Sequence, residues 1–146
     1  MSSHMMRVLL SLVILLIPAS VYADEIKLDE SSIVNADINC DDTLDTAKLG
    51  YLKDRVRLTV IYGSDGSSQS IEFGLGMSGY QDALCGTDAK LSVEDMDYDL
   101  IEIFSENPEG FKQSKTCMGL NVRAGECDSM HIFWNHKTGH INWWRL

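Results

Sequence analysis

Met130-His-Ile-Phe-Trp-Asn-His-Lys-Thr-Gly-His-Ile-Asn-Trp-Trp-Arg-Leu146 is the stretch on which the fold turns. It holds all three tryptophans of the chain and three of its four histidines. Two apolar runs flank Lys137-Thr138-Gly139, which reads as a β-hairpin. Gly139 supplies the left-handed position that closes a three-residue loop. This register pairs His136 with His140, Trp134 with Asn142 and Ile132 with Trp144. Met130, Ile132, Trp134, Trp144 and Leu146 then share one face. His131, Phe133, Ile141, Trp143 and Arg145 share the other. A loop one residue longer or shorter exchanges the faces along the second strand. In either register both faces carry aromatic surface. One builds a core, and the other must meet a second layer or a partner.

Working back from this stretch, the most secure hairpin of the chain lies earlier. Arg55-Val-Arg-Leu-Thr-Val-Ile-Tyr62 alternates, with Val56, Leu58, Val60 and Tyr62 on one side. Gly63 to Ser68 turns the chain. Gln69 to Leu75 alternates again, with Ile71, Phe73 and Leu75 inward. Glu72 faces Arg55 or Arg57 across this pair. Residues 24–35 read as an edge strand or an arm. Leu100 to Phe104 and Thr116 to Val122 read as further strands. Asn107-Pro-Glu-Gly110 and Arg123 to Asp128 read as turns. An Asp N-cap opens a short helix with Leu44, Ala47 and Tyr51 on one face. Tyr80 to Cys85 is a turn or a helical piece. The expected fold is mainly β, or α+β. It is a largely antiparallel sheet or sandwich of five to seven strands, with one or two short helices and two disulfides.

The beginning of the chain has a different character. Met1 to Met5 resembles a cloning remnant. Residues 6–23 read as a secretory signal, with Arg7 as its positive end and Val8 to Ile17 as its apolar segment. Those ten residues are too few to span a bilayer. Val21 and Ala23 place cleavage after Ala23. One β-rich domain, residues 24–146, comes next, with no linker and no internal repeat. Cys40, Cys85, Cys117 and Cys127 all lie in that exported part. An even count in an oxidising compartment implies two disulfides. Of three connectivities, a local Cys117–Cys127 staple with a long Cys40–Cys85 bridge is favoured.

Charge narrows the partners. The chain carries 22 acidic residues and 12 basic ones, one of which is Arg7, so the mature net charge is −11. Such a chain repels nucleic acid and anionic lipid and attracts basic proteins.

Several chemistries fit poorly. Asp37, Asn39, Asp41 and Asp45 fall at calcium-loop positions. However, Asp42 stands where the turn needs glycine, and Lys48 where the bidentate acid belongs. His131, His136 and His140 bring at most two ligands together, so no metal is expected. Glu72, Arg57 and His140 make a forced nuclease set on a chain too acidic for a polyanion. No hydrolase motif or phosphate-binding loop is present. The expectation is a protein without enzymatic activity and without a cofactor.

Protein binding remains. The acidic run Glu94, Asp95, Asp97 and Asp99 is one candidate contact. The loop bearing Glu126 and Asp128 is another, because a stapled loop is pre-ordered for insertion. Trp143 is the candidate aromatic anchor. The signal segment, the acidic four-cysteine domain and the Trp-rich terminal hairpin resemble small periplasmic immunity proteins of type VI secretion systems. They are less similar to periplasmic lysozyme inhibitors. The resemblance implies a β-rich periplasmic inhibitor, monomer or homodimer, that blocks a basic cell-wall (peptidoglycan) hydrolase effector of the lysozyme or amidase kind. It is free of the membrane once the signal is cleaved. The alternative is a small exported ligand- or glycan-binding module.

Overall fold

A computed structural model describes residues 25–146. The expected signal segment, its cleavage point and the expected cloning remnant lie outside the described residues. Period-two patterning dominates the rest, and nine strands result. One sheet is built from β1 (Lys27–Ala36), β2 (Asp45–Tyr51), β3 (Arg55–Ile61), β4 (Ser68–Leu75) and β5 (Ala83–Leu84), in that order. Its neighbours are antiparallel except for the short parallel pair β4–β5. The other sheet is β6 (Lys90–Met96), β7 (Ser114–Arg123), β8 (Met130–Asn135) and β9 (His140–Trp144), antiparallel throughout. The one helix among the described residues is α1 (Ile101–Phe104).

The two sheets close on a shared core, as the expected sandwich requires. Leu49, Val56, Leu58, Val60 and Phe73 come from the first sheet, and Leu120, Val122, Met130 and Ile132 from the second; all are fully buried. The β3–β4 hairpin has the expected faces. Arg57 stands opposite Glu72, and its Nε donates to the carboxylate at 2.8 Å.

Nine strands exceed the expected five to seven, because Asp45–Tyr51, Ala83–Leu84 (expected as a turn or helical piece) and Lys90–Met96 also pair. Four further expectations need correction. The terminal hairpin turns through four residues, not three. Asn135 pairs with His140, Ile132 with Trp143 and His131 with Trp144. The buried Asn135 decides this, because its Oδ1 accepts the amides of Lys137 at 3.0 Å and Thr138 at 3.1 Å. That side-chain turn adds His136 to the loop. Gly139 keeps the left-handed position, at φ 68°.

The segment expected to be helical is strand β2. Asp45 at its start is buried, and its carboxylate accepts the amides of Ile38 (2.9 Å), Asn39 (3.2 Å) and Gly63 (3.0 Å). Those bonds hold neighbouring loops, which a helix N-cap would not do. Conversely, Leu100 to Phe104 is not a strand. It supplies α1, which ends at Ser105 in the left-handed region, at φ 67°.

The disulfides are Cys40–Cys117 and Cys85–Cys127, not the favoured pairing. Cys117 lies within β7 and Cys127 in the loop beyond its end, so the extended strand holds them apart. Each bridge instead fastens the first sheet's loops to the second sheet. Two disulfides suit an oxidising, exported setting. No helix among the described residues is long and apolar enough to cross a membrane.

Candidate functional site

The outer face of the second sheet carries a layer of its own. Strand β6 runs as far as Asp95 in register with β7, and a bulge then shifts Met96 opposite Ser114. A bulge bends a strand and re-aims the residues beyond it. Here the chain leaves the sheet and crosses back over it as residues 97–113. Leu100 and Phe111 dip into the sheet, where they bury against Met96 and Phe133. Asn107 accepts the Leu100 amide at 3.0 Å, and Asp99 accepts that of Ile101 at 3.0 Å. At the far end Asn135 donates to the Glu109 carbonyl at 2.8 Å, and the His136 amide donates to that of Gly110 at 2.9 Å. The segment is thus anchored at both ends.

Between its anchors the segment exposes apolar surface. Helix α1 buries none of its residues. Ile101 is 50% exposed, Ile103 52% and Phe104 38%. Folding gains little from three large apolar side chains left in water.

A cleft of about 340 Å³ opens beside α1. Tyr98, Leu100, Ile103 and Trp144 form its apolar walls, with His131 and Glu94 at the base and Asp95 and Asp99 on the rim. The base is ordered by polar contacts. His131 Nδ1 lies 2.9 and 3.1 Å from the two Glu94 oxygens. Asn121 donates to the same carboxylate at 3.3 Å. The imidazole stacks on the Trp144 indole at 4.0 Å and 7°. Trp144 also meets Tyr98 (5.9 Å) and Phe104 (5.7 Å) edge to face. Burial, then the nearby Glu94 charge, pushes the Tyr98 phenol up to about 12.

A second hollow, about 450 Å³, lies on the far side of Trp144. Phe104, Trp143, Trp144 and Arg145 contribute to it, with Gln81 and the 106–109 turn. Arg145 Nη1 donates to the carbonyl of Ala83 at 2.7 Å.

Of the residues expected to bind a partner, Glu94, Asp95 and Asp99 meet at the cleft. Asp97 is exposed on the same segment without lining it. Glu126 and Asp128 are on the β7–β8 loop and line neither hollow. Trp143 turns toward the inter-sheet core, edge-on to Phe73 at 5.9 Å, and gives the second hollow only part of its surface. Trp144 occupies the place expected of Trp143. The one-residue change in the hairpin loop exchanges the two, and Asn135 was the available signal for it.

The other constellations disperse. His131 bonds Glu94, His140 bonds the carbonyl of Thr138 at 2.8 Å, and His136 lies 3.6 Å from Cys40 Sγ. Burial, then Lys112, lowers the His136 pKa. Arg57 is held by Glu72, away from His140. In the calcium-like loop, both Asp37 oxygens accept loop amides, those of Asp41 and Asp42. No group of three or more His, Cys, Asp or Glu among the described residues is arranged to hold a metal ion.

No known protein family, no curated protein and no solved structure matches this chain.

Proposed function

We propose that this is an exported, periplasmic immunity or inhibitor protein that binds a basic cell-wall hydrolase effector and blocks it. One observation carries the reading: α1 presents Ile101, Ile103 and Phe104 to solvent beside an acid-rimmed, aromatic-walled cleft. An exposed apolar centre with a charged surround is the usual composition of a protein-binding surface. The acidity of the whole chain favours a basic partner. Hydrolases that work on the anionic cell wall tend to be basic.

The test is inhibition. The oxidised protein is mixed with basic muramidases and amidases, and cell-wall lysis is followed. The reading expects stoichiometric inhibition of at least one enzyme, relieved by Ile103→Glu or by Asp95→Lys with Asp99→Lys. Full lysis with every enzyme, by protein shown to be folded, overturns it.

The aromatic edges of Trp143, Trp144 and Phe104 in the second hollow favour a different reading, a glycan-binding module. Small cell-wall glycans would then change the tryptophan fluorescence with no hydrolase present.

A further inference from the structure

We propose that the cleft beside α1 receives an arginine side chain of the partner, its guanidinium set against Glu94. This rests on the protein-binding reading above. The cleft has a volume of about 340 Å³ and is walled by Leu100, Ile103, Tyr98 and Trp144. Walls of that kind suit a methylene stem. They also lower the local dielectric, so a charge at the base acts more strongly there than at the surface.

The charge at the base is negative and fixed in position. Glu94 has a side-chain exposure of 18% and is held by His131 and Asn121. His131 Nδ1 reaches both of its oxygens, Asn121 donates to Oε2, and the Tyr98 hydroxyl also lies against the carboxylate. A carboxylate accepts about four hydrogen bonds, so capacity is left on a group that cannot swing away. Asp95 and Asp99 on the rim add negative charge at the entrance. No Lys or Arg among the described residues lines the cleft.

Arginine fits this better than lysine. A guanidinium is planar and weakly hydrated, and it tolerates contact with aromatic rings. An ammonium loses more hydration on entering such walls. A neutral or anionic side chain would leave Glu94 without a counter-charge in a closed contact, which is costly. A second copy of this chain is disfavoured by its own net charge of −10.

The experiment separates this anchor from the broader reading. The oxidised protein is titrated with N-acetyl-arginine amide, with the lysine amide, and with the neutral citrulline amide. The His131 ring and Trp144 indole signals are followed by NMR. Saturable shifts with arginine are expected, several-fold weaker affinity with lysine, and none with citrulline. Glu94→Gln should weaken arginine binding about tenfold, and Asp99→Asn, in the exposed segment, should weaken it by less. Equal responses to arginine and citrulline, or no saturation with arginine, overturn the anchor. So does self-association that Ile103→Glu abolishes. If a hydrolase is inhibited equally well by Glu94→Gln, the anchor fails and the inhibitor reading stands. If arginine binds but no hydrolase is inhibited, the inhibitor reading fails alone.

Discussion

Asp45 shows what one buried carboxylate does in this fold. It is fully buried and accepts three backbone amides from two loops. Replacing it with alanine leaves those donors without a partner, at a cost of about 3 kcal/mol. Asp45→Ala should therefore lower the denaturation midpoint markedly in urea unfolding, whereas Asp37→Ala in the exposed loop should lower it much less. The tyrosines make a second prediction. Burial pushes the phenols of Tyr62 and Tyr98 up to about 12 from an ordinary 10.0. A phenol with a raised folded-state pKa leaves stability intact below 10. Above that the unfolded chain releases its protons first, and stability falls as pH rises toward 12. Ultraviolet titration of the folded protein should show at least two phenols ionising late. Denaturant midpoints should begin to drop above pH 10, and Tyr62→Phe should remove part of that drop. In sequence, Asp45 resembles a calcium-loop position and Tyr62 an inward strand residue. Only the second can be read locally, because the donors around Asp45 come from folding.

At the scale of elements, periodicity is readable wherever a strand has one wet face and one dry face. The β3–β4 hairpin is the clear case. The reading fails where a side chain overrides local preference: Asn135 lengthens the terminal turn and so reverses Trp143 and Trp144. It fails again at Leu100 to Phe104, whose apolar run looks like a strand but lies beyond a bulge and pins one of its residues, Leu100, under the segment. Gly110, at φ 76°, sits against the Asn135 side chain, and an added Cβ would collide with it. Gly110→Ala should thus loosen the 97–113 segment and cost about 2 kcal/mol, through both the collision and the left-handed backbone. A red shift of the Trp144 emission would report the loosening, and unchanged emission with unchanged stability would show that the segment does not depend on this turn. The disulfides make a companion case. Cys40–Cys117 closes a loop of sequence separation 77, Cys85–Cys127 one of 42. By chain entropy each contributes about 4 kcal/mol, the longer slightly more. Paired alanine variants should both destabilise, with the Cys40/Cys117 variant the less stable in guanidinium. An even cysteine count behind an expected signal segment announces two bridges, but connectivity depends on which strands neighbour each other, and spacing alone does not carry that.

At the scale of the whole molecule, two sheets make the sandwich, and a third, partial layer lies over the second sheet. The sandwich needs only one face of each sheet, and the aromatic residues on the remaining face of the terminal hairpin create the demand for that extra layer. Aromatic surface on both hairpin faces is legible from the sequence; the layer that covers one of them is not, because it comes from a distant segment. This arrangement separates two contributions to binding. Net charge acts at a distance and sets the rate of encounter. On the proposed inhibitor reading, the apolar residues of α1 and the cleft act only on contact and set the lifetime of the complex. Raising ionic strength from about 0.05 to 0.5 M shortens the screening length from roughly 14 to 4 Å. Association with a basic partner should then slow by an order of magnitude or more, while dissociation changes little. Ile103→Ala should do the reverse, speeding dissociation and leaving association nearly intact. Stopped-flow association and displacement kinetics measure both rates. Should salt speed dissociation as strongly as it slows association, the rim carboxylates would belong inside the contact, and charge would hold the complex as well as steer it.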